Sequence, residues 1–232
     1  VSAIGVLVRH PQICIGPLVA AVVNLILLSV IPADGGFIGF ASSSLLQLLT
    51  FVVTIVGLGV AVVGADLAWR GRRASIGEAL DDSRRRATDI LIAGIGFSFL
   101  VGIAGYIGGG LGEFGSVVLT AAAFVICIYM VPAAAIGGIP GGATLQVSGE
   151  RVRSSPVAAV VIALVYFAGT TFGPPLLIEA LAPILFASSP VFSLGIVVSL
   201  IVALVRAVFA GYVATVLAKA YADVSYGRFR SY

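Results

Sequence analysis

The chain has 232 residues, 60% hydrophobic and only 10% charged, with 13 basic against 10 acidic side chains and a net charge of +3. Mean hydropathy is +1.18 and the pI is near 9.1. Soluble domains carry about 25% charged residues, so a soluble fold is excluded, and the length leaves no room beside a membrane bundle for a water-soluble catalytic domain.

Helices satisfy their own backbone in lipid, and apolar runs of about 20 residues predict an all-α polytopic membrane protein. It is a single bundle with six transmembrane helices at about 13-30, 45-68, 89-106, 116-136, 156-172 and 191-221. Residues 1-10 are too short to cross and end in Arg9 and His10, a short amphipathic lead-in after which Pro11 turns the chain. The opening VSAIGVLVRHPQ lacks a basic start followed by a small-residue cleavage site, so no cleavable leader is expected. Pro17 falls near the start of the first span, where its missing N–H costs least.

The second span carries Gly57, Gly59 and Gly64, small residues that let helices approach closely in lipid, and Trp69 closes it at the interface. In the loop WRGRRASIGEALDDSRRRATD, Ser75 and Glu78 have capping-box spacing, predicting a short helix over 76-86. Asp81 with Arg85 and Asp82 with Arg86 are acid-before-base pairs four apart, and Ile76, Ala79, Leu80 and Ser83 make the less polar face. Thr88 or Asp89 should cap the third span.

GGGLGEFG at 108-115 reads as a tight turn, because consecutive glycines are a poor helix interior. The fourth span places Tyr129 and Pro132 near its inner end, and Ser155 with Pro156 starts the fifth. Gly173 to Pro175 must break that helix. The apolar piece 176-187 is too short to cross, so it lies on the surface or is re-entrant.

Arg9, Arg70, Arg72, Arg73, Arg84, Arg85, Arg86, Arg151, Arg153, Lys219, Arg228 and Arg230 all fall on one side of this arrangement. The opposite loops hold only Asp34, Glu113 and Glu179. That asymmetry places both termini and the two long loops in the cytoplasm of a cell-membrane protein. It also accounts for the basic pI without any nucleic-acid partner.

Sliding the chain by 65 residues aligns GEALDDS at 77-83 with GATLQVS at 142-148, and ADLAW at 65-69 resembles ADVSY at 222-226. All these stretches lie at inner helix ends, so three helix pairs of one orientation, a parallel internal repeat, are expected. IGEALDDS at 76-83 and YMVPAAAIGGIPGGATLQVS at 129-148, with Pro132, resemble the membrane domain attached to some glycerophosphoryl diester phosphodiesterases. That domain has stand-alone six-helix relatives of unknown function in bacteria and archaea. The likeness covers roughly residues 45-167; the second copy has Thr144 in place of alanine and Gly141 and Gly142 ahead of it. The phosphodiesterase domain is not in the sequence, so the resemblance implies no hydrolase activity.

Arg206 is the strongly charged residue well inside a predicted span, 13 residues before Lys219 and so about 20 Å away along a helix. A charge at mid-bilayer costs at least about 2.5 kcal/mol, so it needs a partner or a wet cavity. It could serve as an anion, lipid-headgroup or coupling site. It could also snorkel, or bind carbonyls freed at Gly173 to Pro175 or the carboxylate of Glu179. Asp66 lies one turn before Arg70, as a local ion pair or a proton-coupling group. Asn24, Tyr166, Thr170, Thr171 and Tyr212 could hydrogen-bond between helices. Arg72, Arg73, Arg84, Arg85 and Arg86 are placed to contact anionic lipid headgroups or a partner.

His10 is the only histidine, Cys14 and Cys127 lack metal-ligand spacing, and no catalytic constellation appears, so neither an enzyme nor a cofactor or metal site is expected. Two functions fit. One is a non-enzymatic membrane component acting by association, as a homo-oligomer or a subunit of a membrane complex, through its glycine-rich faces. The other is a transporter or channel for a small solute, ion or lipid, which a continuous wet cavity reaching Arg206 would favour and a dry, lipid-sealed core would sink.

Overall fold

The computed structural model describes residues 2-29, 37-71, 75-166, 179 and 191-226, with backbone alone at 28, 29, 37-45, 47, 191-197 and 226. The fold is all-α. A short α1 (Ala3–Arg9) and a 3-10 turn (Pro11–Cys14) lead into α2 (Ile15–Ser29), followed by α3 (Phe37–Trp69), α4 (Ile76–Arg85) and α5 (Ala87–Gly109). Then come α6 (Glu113–Cys127), α7 (Met130–Ala135), α8 (Thr144–Ser154), α9 (Pro156–Tyr166) and α10 (Val191–Tyr226).

Four stretches are long and apolar enough to cross a membrane: Leu48–Trp69, Ala87–Gly109, Glu113–Ala135 and Val198–Ser225. A fifth is counted if Ala3–Arg9 and Pro11–Leu27, bent by 93°, are taken as one. Several apolar helices of this length are the make-up of a multi-pass membrane protein. Residues 167-172 of the expected fifth span, the segment 176-187 apart from Glu179, and the break at Gly173 to Pro175 lie outside the described residues.

Several local expectations hold. Pro11 disfavours a helical residue before it, and His10 leaves the helix at φ −131°, ψ 62°, which turns α1 away from α2. Ser2 caps α1 by accepting the Gly5 N–H at 3.1 Å. Pro156 opens α9 and the loop helix α4 forms; α8 also forms, over part of the Gly-rich stretch that reads as a loop in the sequence.

Others are corrected. Ser75 takes the extended N-cap conformation of α4, but its hydroxyl makes no capping bond. Neither Asp81 with Arg85 nor Asp82 with Arg86 closes to an ion pair among the described residues. The helix ends with Arg86 at φ −110°, ψ 12°, which removes it from i,i+4 register, and it donates instead to the Ala135 carbonyl at 2.9 Å. The N-cap of α5 is Arg86 and not Thr88 or Asp89; Asp89 accepts the Gly141 N–H at 2.9 Å.

The glycine run is not all turn. Gly108 and Gly109 finish α5, and the turn proper ends at Gly112 with φ 88°, a left-handed conformation suited to glycine. Gly108 is helical because α6 lies on top of it: a Cβ there would meet the Gly115 carbonyl oxygen at 2.6 Å.

The fourth span is interrupted between α6 and α7. Pro132 has no N–H for the Ile128 carbonyl and its ring crowds that group, so the helix opens at Ile128 and Tyr129. Two further groups at the opening are met by one side chain from α8: Ser148 Oγ donates to the Ile126 carbonyl at 2.6 Å and accepts the Tyr129 N–H at 3.1 Å.

The core is built mostly of small residues. One buried cluster surrounds the C-terminal half of α3, with Ile13, Ile90, Met130 and Ala214; the other joins Phe124, Ala159, Leu217 and Tyr221. At the end of the bundle that carries the arginines, here the basic end, helix termini are tied across the sequence. Trp69 Nε1 donates to the Thr215 carbonyl at 2.9 Å with Lys219 over its ring at 5.6 Å, and Arg151 donates to the Val224 carbonyl at 3.0 Å. The α5–α6 turn, with Glu113, lies at the opposite end.

Candidate functional site

Arg206 is carried into the apolar zone by α10, whose helix runs unbroken through it because Ile, Val, Leu and Ala neighbours satisfy the lipid and the core. It is exposed and lines a cavity of about 480 Å³ between α2, α3, α9 and α10. The polar wall of this chamber is Arg206 with Asn24, Thr54, Tyr166 and Ser199; alanine, valine and leucine make up most of the rest.

Asn24 and Thr54 are joined. Thr54 sends its hydroxyl proton to the Thr50 carbonyl at 2.8 Å, so its oxygen must accept, and Asn24 Nδ2 donates to it at 2.9 Å. Asn24 Oδ1 is left without a partner among the described residues. This bond ties α2 to α3, as expected for Asn24; Thr54 was not singled out in the sequence, although a mid-span hydroxyl is the signal for it.

A second cavity, of about 270 Å³, adjoins the first. The two share Thr54, Leu58, Tyr166 and Val213, so side chains alone separate them. Its walls are apolar and aromatic, with Phe124 meeting Phe97 edge-on at 5.3 Å between ring centres and stacking on Tyr166 at 4.9 Å.

Arg206 makes neither a hydrogen bond nor an ion pair among the described residues. Glu179 is exposed and does not pair with it. Asp66 does not join the cavity: it is buried at the basic end and pairs with Arg70 at 2.7 Å. The chain matches no family model, no curated protein and no solved structure.

The loop arginines divide. Arg84 and Arg85 are exposed on α4 and free to face headgroups, whereas Arg86 is half-buried and turned inward to Ala135. Arg72 and Arg73 lie outside the described residues, as do Thr170 and Thr171. The structure therefore brings Arg206, Asn24 and Tyr166 together and keeps Asp66 and the loop arginines at the basic end. Chemically, the cavity offers a fixed positive charge, hydroxyl and amide groups and an apolar annex: a place to bind, with no nucleophile–base pair in its described walls.

Proposed function

We propose that the protein moves a small solute, ion or lipid through the membrane, with Arg206 as the binding or coupling charge. The observation that carries this is the cavity of about 480 Å³ that reaches Arg206 between four helices, since an intramembrane charge that lines a cavity marks a substrate pathway by default. In the proposed architecture six helices span: α2, α3, α5, α6 with α7, a longer α9, and α10. The basic end faces the cytoplasm.

The internal repeat belongs to the same proposal. The buried residues of α4 are Ala79 and Ser83, those of α8 are Thr144 and Ser148, and each pair is separated by the same 65 residues that align the sequences. Arg86 and Arg151 share that offset, and each donates to a carbonyl at the inner end of the helix that enters next, Ala135 or Val224. The third unit is split between the termini: α10 enters, α1 packs on it, and α2 leaves. There Val6, buried, and Arg9 keep the spacing of Ser83 and Arg86, and Ile13 stands buried where Ile90 does. Units of one orientation about an axis along the membrane normal are one of the plans of transporters. The proposed likeness to the phosphodiesterase-associated membrane domain rests on the sequence motifs at 76-83 and 129-148.

Association is the secondary proposal. Most of the glycines that motivate it meet groups of the same chain, as Gly59 meets Ile90 and Gly94 meets Ile55. Gly102 and Gly109, on one face of α5, have nothing within 4 Å and are where a second copy could approach; Gly102→Cys crosslinking tests this.

Transport is tested in phosphatidylcholine vesicles carrying the full chain. Flux of organic or inorganic anions above protein-free vesicles is expected, falling at least about tenfold, the loss of a ~1.4 kcal/mol contact, on Arg206→Gln. Vesicles no leakier than empty ones to every anion and lipid offered would refute it.

A further inference from the structure

We propose that the site around Arg206 selects a single-chain anionic amphiphile, with a carboxylate or phosphate head at the guanidinium and a hydrocarbon tail in the adjoining aromatic cavity. This rests on the transport reading for its biological meaning, but not for its physical basis, which is the juxtaposition of two unlike chambers.

Among the described lining residues, Arg206 is the charged group of the head chamber. Arg206 has no carboxylate against it among the described residues, and the neutral polar groups beside it, Asn24, Thr54 and Ser199, leave its charge uncompensated. An anionic oxygen is the ligand that a guanidinium in a low-dielectric wall binds best. The tail chamber is the reverse: Phe51, Ile55, Phe97, Phe124, Ile162 and Leu217 present only hydrocarbon. At about 270 Å³ it falls just below the ~300–1,000 Å³ of drug-sized pockets, which restricts it to one chain.

The two chambers lie side by side between the same helices: Thr54, Leu58, Tyr166 and Val213 line both. An amphiphile with its head at Arg206 can therefore pass its tail between these side chains into the aromatic chamber. A free inorganic anion would use Arg206 and leave the aromatic chamber unoccupied.

The test uses the full chain in a neutral maltoside detergent, with bound ligand counted by native mass spectrometry. The probes are dodecyl phosphate, dodecanoate, hexyl phosphate, inorganic phosphate and dodecyltrimethylammonium. One equivalent of dodecyl phosphate or dodecanoate is expected. Its affinity should exceed that of hexyl phosphate by about tenfold or more, as six further methylenes are buried, and exceed that of the cation by a similar factor. Arg206→Lys should keep most of the binding, and Arg206→Gln should weaken it about tenfold. Inorganic phosphate binding as well as the dodecyl compounds, no dependence on chain length, or equal binding of the cation would overturn the assignment, and these three readouts need no variant to fold. Vesicles that move small anions while the chain ignores every alkyl probe would defeat this inference and leave transport standing; tight dodecyl binding with no flux would do the opposite.

Discussion

Gly16 and Gly57 face one another so closely that a Cβ on either would meet the other's carbonyl oxygen, at 2.6 Å from Gly16 and 2.8 Å from Gly57. Backbone cannot step aside as a flexible side chain can, so Gly57→Ala should separate α2 from α3 and cost about 1–3 kcal/mol, the range for overpacking. Gly149→Ala, inside α8, is the control: nothing lies within 4 Å of its Cβ, and a helical glycine replaced by alanine gains up to about 1 kcal/mol. Thermal unfolding in detergent should order the two variants oppositely about the parent. Ser148 carries a second test. Its hydroxyl serves both the Ile126 carbonyl and the Tyr129 N–H, so Ser148→Ala orphans two groups at a buried helix break. Each unsatisfied buried group costs about 1–3 kcal/mol, and hydrogen exchange at the Tyr129 amide should become faster while that of α5 stays as it was.

The elements are held at their basic ends by long polar side chains reaching carbonyls that the helices cannot satisfy themselves. The last carbonyls of a helix lack intrahelical donors, which is why Ala135 and Val224 are the acceptors for Arg86 and Arg151. Hydrogen bonds from charged donors contribute about 1.5–3 kcal/mol, so Arg86→Ala and Arg151→Ala should each destabilise by roughly that amount. The two joints share no partner, and the double variant should be additive within about 0.5 kcal/mol. A shortfall well beyond that would show that the two joints act as one belt. Loop helix α4 was legible from its N-cap signal and its less polar face, whereas α8 was not, because glycines precede it, and neither was the partner of Arg86. The sequence offers Asp82 four residues away, and only the end of α4 at Arg85 takes that pairing out of register.

At the scale of the molecule, the distribution of arginine predicts sidedness. With Cys14 and Cys127 replaced by serine, Arg84→Cys and Glu113→Cys should react with impermeant maleimide from opposite sides of the membrane, Arg84→Cys from the cytoplasm. Both reacting from one side would invalidate the span count between them. The four longest apolar helices and the bend after Arg9 follow hydropathy and proline closely, because the free energy of placing a residue in lipid depends chiefly on its own chemistry. The candidate site follows the same rule only in part. Arg206 stood out as a charge in an apolar run, but its surroundings did not: Thr54 lies 30 residues from Asn24 and Phe124 lies 42 from Tyr166.

What the sequence determined by itself is the solvent each segment prefers, the places where proline and glycine stop a helix, and the end at which positive charge collects. These are local properties of side chain and backbone. The tertiary structure decided which helices are neighbours, and through that the Ser148 repair of the fourth span, the inward turn of Arg86 and the paired cavities beside Arg206. Contacts of this kind depend on the shapes of two surfaces brought together in space, and similar apolar faces leave the choice of neighbour open until close approach at small residues settles it.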